Sequence, residues 1–476
     1  MDSPLRAGID SYPYRHRVAD IMSRPPITAA PEMTLVDAAR RMQEAGIGAL
    51  LSVDDSGRPR GILTERDLLA AVAAQGAAAL AKPISAFAQS PVHAVTADDY
   101  LFTAIARMDR LKIRHLAVVD PATGALVGVV SARALLQQRA QKALALGDEI
   151  AVIDRAAAMA DLYRRLPDLA ADLLQDGLTA VATAAVLSAV LRDISARAAA
   201  LAEGAMAGPA PAAWCFLVLG SGGRGESLLA PDQDNAIVHD AAEDDPWFAE
   251  VGKRAADFLD RAGILYCRGG VMAMNRDFRH SLAGWRKRIA GWVERPDGAN
   301  LLNADIFFDF RPVHGSFALA GRLRELALEA AQSPPFLAML GAAVSDMGTP
   351  LGLLGGFRTE EGRVDLKRGG LLPLVSAARV MALHNRSAAL DTGGRLAAAV
   401  AAGHLSPDDE TQLTEAHELL LRLILKQQIA DIGAGIAPSA RIVVARLDKI
   451  VRSRLRQALR RIAQVDWTVR DSLTAV

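Results

Sequence analysis

Cysteine is nearly missing from this chain, with Cys215 and Cys267 the two in 476 residues. Both lie in apolar stretches and no zinc-type spacing occurs. A disulfide framework is therefore excluded, and buried, reduced thiols are expected. An excess of one charge is missing too. Lys+Arg and Asp+Glu are equal at 54 each, which removes bulk attraction to nucleic acid while leaving room for a local basic face. No apolar run reaches the ~20 residues of a membrane span, since the longest, 178–191, stops short. The opening MDSPLRAGIDSYPYRHRV lacks the apolar core of a signal peptide. A soluble, cytoplasmic chain without membrane or nucleic-acid partners is expected. Its length is too great for one core, and about three domains are anticipated.

The most informative stretch present is FLVLGSGGRGESLLAPDQDNAIV, Phe216 to Val238. An apolar run of strand composition, Cys215 to Leu219, ends in Gly220-Ser221-Gly222-Gly223. A short polar turn-and-helix segment carries Arg224 and Glu226. Pro231 breaks the chain, and Asp232-Gln233-Asp234 leads into a second apolar run, Ala236 to Val238. Carboxylates at i and i+2 of an extended segment share a face and can clamp a hard divalent cation. The Gly-Ser turn leaves backbone N–H groups free at a helix start for phosphate oxygens. A glycine turn or an Asp-x-Asp alone is common. Their succession between two apolar strands points to metal-dependent phosphoryl or nucleotidyl transfer.

This G-S-G-G-R-G-E … D-Q-D-N run is similar to the nucleotidyltransferase superfamily, with its DNA polymerase β-like fold. It resembles more closely the nucleotidyltransferases related to the PII-uridylyltransferase N-terminal region. The resemblance implies that Asp232 and Asp234 hold Mg²⁺, that Gly220 and Ser221 seat the triphosphate of an NTP donor, and that Arg224 neutralises phosphate charge or braces the loop.

Ahead of that motif lies an internal repeat within residues 18–139. The copies align with Met42 against Met108 and Val53 against Val119, 66 residues apart. Each reads as a strand, an amphipathic helix, a hairpin and a closing helix, and one unit alone could hardly bury its faces. The pair resembles tandem cystathionine-β-synthase (CBS) domains, a module that commonly binds adenine nucleotides. On that resemblance Thr64 contacts phosphate or ribose and Asp67 the ribose hydroxyls. In the second copy Ser131 keeps the hydroxyl, but Ala134 replaces the aspartate, so at most one full ribose site is expected. A homodimer is implied by the way such pairs associate.

The expected organisation is an α/β multidomain chain: an N-terminal tail (1–17), the CBS pair (18–140), a helical linker (141–212), a nucleotidyltransferase domain (213–315) and an all-helical substrate-binding domain (316–476). Within the nucleotidyltransferase domain a helix from Pro246 to Ala262 and a strand from Ile264 to Cys267 are predicted. The family resemblance singles out Asn275 in GGVMAMN. Asn303 to Arg311, NADIFFDFR, reads as a strand by alternation. It would carry the third carboxylate of a two-metal site, Asp309 by the family pattern with Asp305 in reserve. Arg311 would contact phosphate, or pair with Asp309. Asp365 and Lys367 are candidate contacts for nucleotide or acceptor. The function expected is transfer of a nucleotidyl group to a protein or small-molecule hydroxyl, [protein-PII] uridylyltransferase-like and regulated through the CBS pair. The alternative is a non-enzymatic nucleotide sensor acting through partner contacts.

Overall fold

The repeat folds in two matching copies. The first runs β1 (Thr28–Ala29), a helix (Leu35–Ala45), the hairpin β2 (Ala49–Val53) and β3 (Pro59–Thr64), and a closing helix (Glu65–Gln75). The second runs β4 (Ala94–Thr96), a helix (Leu101–Leu111), β5 (His115–Val119) and β6 (Leu126–Ser131). In each, the first strand pairs parallel with the second and the hairpin closes antiparallel. The buried helix residues correspond one for one: Leu35, Ala38 and Met42 match Leu101, Ala104 and Met108. Even the left-handed helix ends agree, although Lys112 (φ 54) stands where the first copy has Gly46 (φ 62). A side chain there costs about 1 kcal/mol, which the surrounding fold absorbs.

These coordinates come from a computed structural model, which describes residues 16–132, 134, 146, 149–295, 298–352, 355–465, 468–469 and 473. The chain divides into two compact units, Met1–Leu144 and Ala145–Val476. The tail expected at 1–17 lies almost wholly outside the described residues, as does the closing helix of the second copy.

The second unit is built on a four-stranded mixed sheet in the order β10-β7-β8-β9. Its strands are β7 (Trp214–Val218), β8 (Asn235–His239), β9 (Arg279–Ser281) and β10 (Arg311–Gly315). β7 and β8 are buried along their whole length, as continuous apolar runs at a sheet centre should be. The predicted helix appears as Pro246–Arg261. Trp285 and Trp292 anchor a helix, Leu282–Glu294, in the core.

Three expectations change here. The helical region 141–212 is not a separate linker. Its helices Ala156–Tyr163, Leu166–Gln175 and Ala180–Gly204 share one core with Leu259, Ile264, Leu421 and Leu425. The long 180–204 helix is apolar on most of its circumference, and such a helix must be buried. The strand expected at Ile264–Cys267 shrinks to a single parallel bridge between Leu265 and Asp232. The segment 303–311 is not a strand. A helix, Gly298–Phe307, occupies most of it, and β10 begins only at Arg311. Ala304, Phe307 and Phe308 are buried at i, i+3 and i+4, so the helical period overrides the alternation of F-D-F-R.

The C-terminal region is helical as expected, from Phe317–Ala330 to Lys449–Ile462. A π-helical turn, Lys367–Leu371, leads into the helix Leu372–His384. Among the described residues no helix is long and apolar enough to cross a membrane.

Candidate functional site

The Asp-x-Asp segment is held rigidly by the residues between and after its carboxylates. Gln233 points inward and donates from Nε2 to the carbonyls of Ala256 (3.0 Å) and Ile264 (2.8 Å). Asn235 points inward as well, and its Oδ1 accepts from the Ala273 amide at 2.8 Å. With these two turned in, Asp232 and Asp234 share the outward face, as the i, i+2 spacing requires. Asp232 is exposed and Asp234 half-buried.

Gly220 makes this arrangement possible. Its φ is +54°, and a Cβ there would sit 2.8 Å from Asp234 Oδ2. Two steps on, a Cβ on Gly222 would strike the Val218 side chain at 2.5 Å. The turn can therefore lie directly against the carboxylate only because it is made of glycine. Ser221 is half-buried in the same cleft, with its Oγ 3.3 Å from Ser227 Oγ.

Asp232, Asp234 and Cys267 each offer a ligand atom, and these atoms all lie within 4.8 Å of one another. Burial, followed by the charge of Asp232, pushes the Asp234 carboxyl up to about 6. No lysine or arginine among the described residues comes within 4.0 Å of either carboxylate. Two crowded carboxylates without a paired cation fit a divalent metal ion. Burial and the neighbouring Asp234 push the Cys267 thiol up to about 11. It therefore stays protonated beside Asp234, whereas a hard ion such as Mg²⁺ takes oxygen ligands. Cys267 was not foreseen, because one cysteine in an apolar stretch carries no sequence signal. Lys367, from the π-helical turn, is near enough to Asp234 to favour its ionised form.

Asp309 stands apart from the pair. It is fully buried and bonded to three guanidiniums: Arg224 at 2.5 Å, Arg379 at 2.5 and 3.0 Å, and Arg395 at 2.6 Å. Burial alone would raise its pKa, but Arg379, Arg395 and Arg224 hold it far below the usual carboxylate range. Asp305 also pairs with Arg379, and Ser376 donates to it. Neither carboxylate is free to hold a metal, which corrects the expectation of a third ligand from this segment. The same cage corrects the phosphate-contact reading of Arg224. Its Nε donates to Glu226 at 2.8 Å and its Nη1 to Asp309, so it braces the loop. Glu226 in turn accepts from the Thr392 amide at 2.6 Å, tying the glycine turn to the C-terminal helices.

The other expected contacts are placed as follows. Arg311 does not pair with Asp309; its Nε donates to the Gly223 carbonyl at 2.9 Å. Asn275 is a brace whose Nδ2 donates to the carbonyl of Gly270, itself at φ +72°. Asp365 accepts from the Arg368 amide.

In the first unit, Thr64 and Asp67 form a capping box at the start of the 65–75 helix. Asp67 Oδ2 accepts from the Thr64 amide (2.9 Å) and hydroxyl (2.6 Å), and Gln89 donates to Oδ1. Both residues line a cleft of about 450 Å³, of a size for a small molecule. Glu65, Arg66, Lys112 and Arg114 also line it, so with Asp67 three cations face two carboxylates. Ser131 accepts from the Ala134 amide at 3.0 Å, and no aspartate stands there.

Residues 18–74 and 84–140 match the family described as "CBS domain". Residues 164–299 match "Putative nucleotidyltransferase DUF294", and residues 334–472 match "Putative nucleotidyltransferase substrate binding domain". An uncharacterized protein of Methanopyrus kandleri is 36% identical over 123 residues, 25% of this chain and 61% of that protein. An uncharacterized 17.7 kDa protein of Acidianus ambivalens is 30% identical over 119 residues, 25% of this chain and 70% of that one. The chain thus spans less than two thirds of the first relative's length. Among solved structures, a CBS-domain containing protein of Agrobacterium tumefaciens is 30% identical, covering 26% of this chain and 98% of that one (TM-score 0.24). A CBS domain protein of Pyrobaculum aerophilum complexed with AMP is 34% identical, covering 25% and 90% (TM-score 0.23).

Proposed function

Through residues 18–140 the chain belongs to the CBS-domain family, and from that premise, with a nucleotidyltransferase-family domain behind it, we propose a signal-transduction nucleotidyltransferase. It moves a nucleotidyl group from an NTP to a hydroxyl of a protein or small molecule, in the manner of [protein-PII] uridylyltransferases, under the control of an adenine nucleotide at the CBS cleft. The observation that carries this reading is the Asp232–Asp234 pair, crowded, without a paired cation, and pressed against a glycine turn.

Asp232 and Asp234 would hold Mg²⁺, which when bound neutralises charge on the phosphate oxygens. Gly220 lets the turn approach the carboxylates, and Ser221 presents a hydroxyl to a phosphate oxygen. Gln233 and Asn235 keep the two aspartates on one face, so most of the catalysis is positioning. The acceptor oxygen bonds to the α-phosphorus, the bond from that phosphorus to the α–β bridging oxygen breaks, and pyrophosphate leaves. The hydroxyl proton passes to solvent. Thr64 and Asp67 would take the phosphate or ribose of the regulatory nucleotide. Control of transfer from that cleft requires the ligand to bind two states of the protein differently. A cytoplasmic homodimer is the assembly that fits a CBS pair.

One observation favours a second reading, a sensor that binds nucleotide without turnover. Asp309 is locked in its arginine cage, so among the described residues two carboxylates rather than three face the cleft. A transfer assay separates the two readings. The full-length protein is incubated with each α-labelled NTP, Mg²⁺ and a lysate of acceptor candidates, and pyrophosphate release is followed. Transfer by wild type that vanishes in Asp234→Ala supports the enzyme. Tight NTP binding with no pyrophosphate from any donor overturns it in favour of the sensor.

A further inference from the structure

The arginines that the glycine motif and Asp309 gather are already neutralised. Arg224, Arg379 and Arg395 stand against Glu226, Asp305 and Asp309, three charges against three. None is left over for a phosphate chain carrying several negative charges. Another arginine lies in the cleft. Arg192, on the long 180–204 helix, lines the same space as Ser221, Asp232 and Asp234. Its Nη1 donates to the Gly222 carbonyl at 3.2 Å, so it rests against the back of the turn. No carboxylate among the described residues comes within 4.0 Å of its guanidinium. Arg311, which holds the next carbonyl, Gly223, is close enough to disfavour the charge on Arg192 in addition to burial. Two guanidiniums at neighbouring carbonyls repel each other until an anion comes between or beside them.

The cleft itself sets the size of that anion. Its volume is about 40 Å³, and a water needs ~10–15 Å³ on this measure. It therefore holds about three waters or one phosphoryl group, and a nucleoside must lie outside. We infer that Arg192 is a binding residue for the donor's phosphate chain, supplied by the long helix and not by the glycine motif. This rests on the transferase reading and names the donor class it implies: a nucleoside polyphosphate held by its phosphates. Arg192 also explains why the 180–204 helix belongs in the catalytic unit. The helix brings Arg192 and Ser195 to the cleft, and its buried apolar residues anchor it there.

Calorimetry on the full-length protein with Mg²⁺ tests this, using an NTP and inorganic triphosphate. The variants are Arg192→Gln, which keeps a donor for Gly222 without the charge, and Arg192→Lys, which keeps the charge. Arg192→Gln is expected to lose roughly ten- to hundredfold in affinity for NTP and triphosphate, the size of one lost charge-assisted hydrogen bond. It should leave the melting temperature unchanged, and Arg192→Lys should recover most of the loss. No weakening in Arg192→Gln, or a loss that Arg192→Lys does not recover, overturns the inference while the transferase reading stands. Wild-type protein that binds neither NTP nor triphosphate overturns both.

Discussion

Asp309→Asn separates the structural role assigned to this residue from the catalytic role its sequence context suggested. The carboxylate is fully buried and bonded to Arg224, Arg379 and Arg395, whose charges it shares with Glu226 and Asp305. The amide keeps the shape but removes the charge, leaving the cage with one uncompensated buried guanidinium. Breaking a buried ion pair in this way costs about 3–5 kcal/mol, a large share of the 5–15 kcal/mol typical of a domain. The melting temperature of the second unit should fall by about 5–15 °C. Acid unfolding provides a second reading. The unfolded carboxyl ionises near 3.8, whereas arginine contacts hold the folded one far lower. Its stabilisation is therefore fully present above pH ~4 and lost as pH falls below that. Wild type should show this loss and Asp309→Asn should not. Urea titrations from pH 3 to 7 give the stability, and Mg²⁺ titration of the still-folded variant gives the metal affinity. A variant with unchanged stability that no longer binds Mg²⁺ would refute the cage and restore Asp309 as a ligand.

Gly220→Ala should cost about 1–2 kcal/mol of stability through its positive φ. It should also weaken Mg²⁺-dependent NTP binding at least tenfold, because the new methyl group displaces Asp234 Oδ2; intact binding by calorimetry would sink this reading of the turn. Asp234 ionises near 6 when folded and near 3.8 when unfolded, so in metal-free buffer its protonated form adds stability below pH ~4 that is lost as pH rises through about 6. Asp234→Asn should accordingly gain about 2–3 kcal/mol on wild type between pH 4 and pH 7.5, by urea unfolding with EDTA. Asp67→Ala removes the capping box and should cost the first unit about 1 kcal/mol. The same variant should lose adenine-nucleotide binding while leaving basal transfer unchanged, as followed by calorimetry and pyrophosphate release.

Where local period and composition decide structure, the sequence was readable. The repeat announced itself through matched apolar positions such as Leu35 and Leu101, and β7 and β8 through apolar runs around the glycine turn. The shared face of Asp232 and Asp234 followed from spacing alone. Legibility ended where partners are distant in the chain. The sequence around Asp309 suggests a metal ligand because Arg379 and Arg395, 70 and 86 residues away, leave no local trace. The segment NADIFFDFR satisfied alternation over a few residues, while the buried Ala304, Phe307 and Phe308 follow the helical period. Cys267 and Arg192 escape the sequence for a related reason: one sulfur in an apolar stretch, or one arginine among several charges of a helix, has no pattern until the fold turns it toward a cleft.

Isothermal titration of the full-length protein with ATP, UTP, CTP and GTP, with and without Mg²⁺, repeated on Asp234→Ala, bears most directly on whether the Asp232–Asp234 pair is a metal-dependent donor site. At least one nucleotide should bind in a Mg²⁺-dependent event that Asp234→Ala abolishes while the protein stays folded. If wild type shows no such event, or if folded Asp234→Ala retains it, the site is not a nucleotidyl-transfer centre.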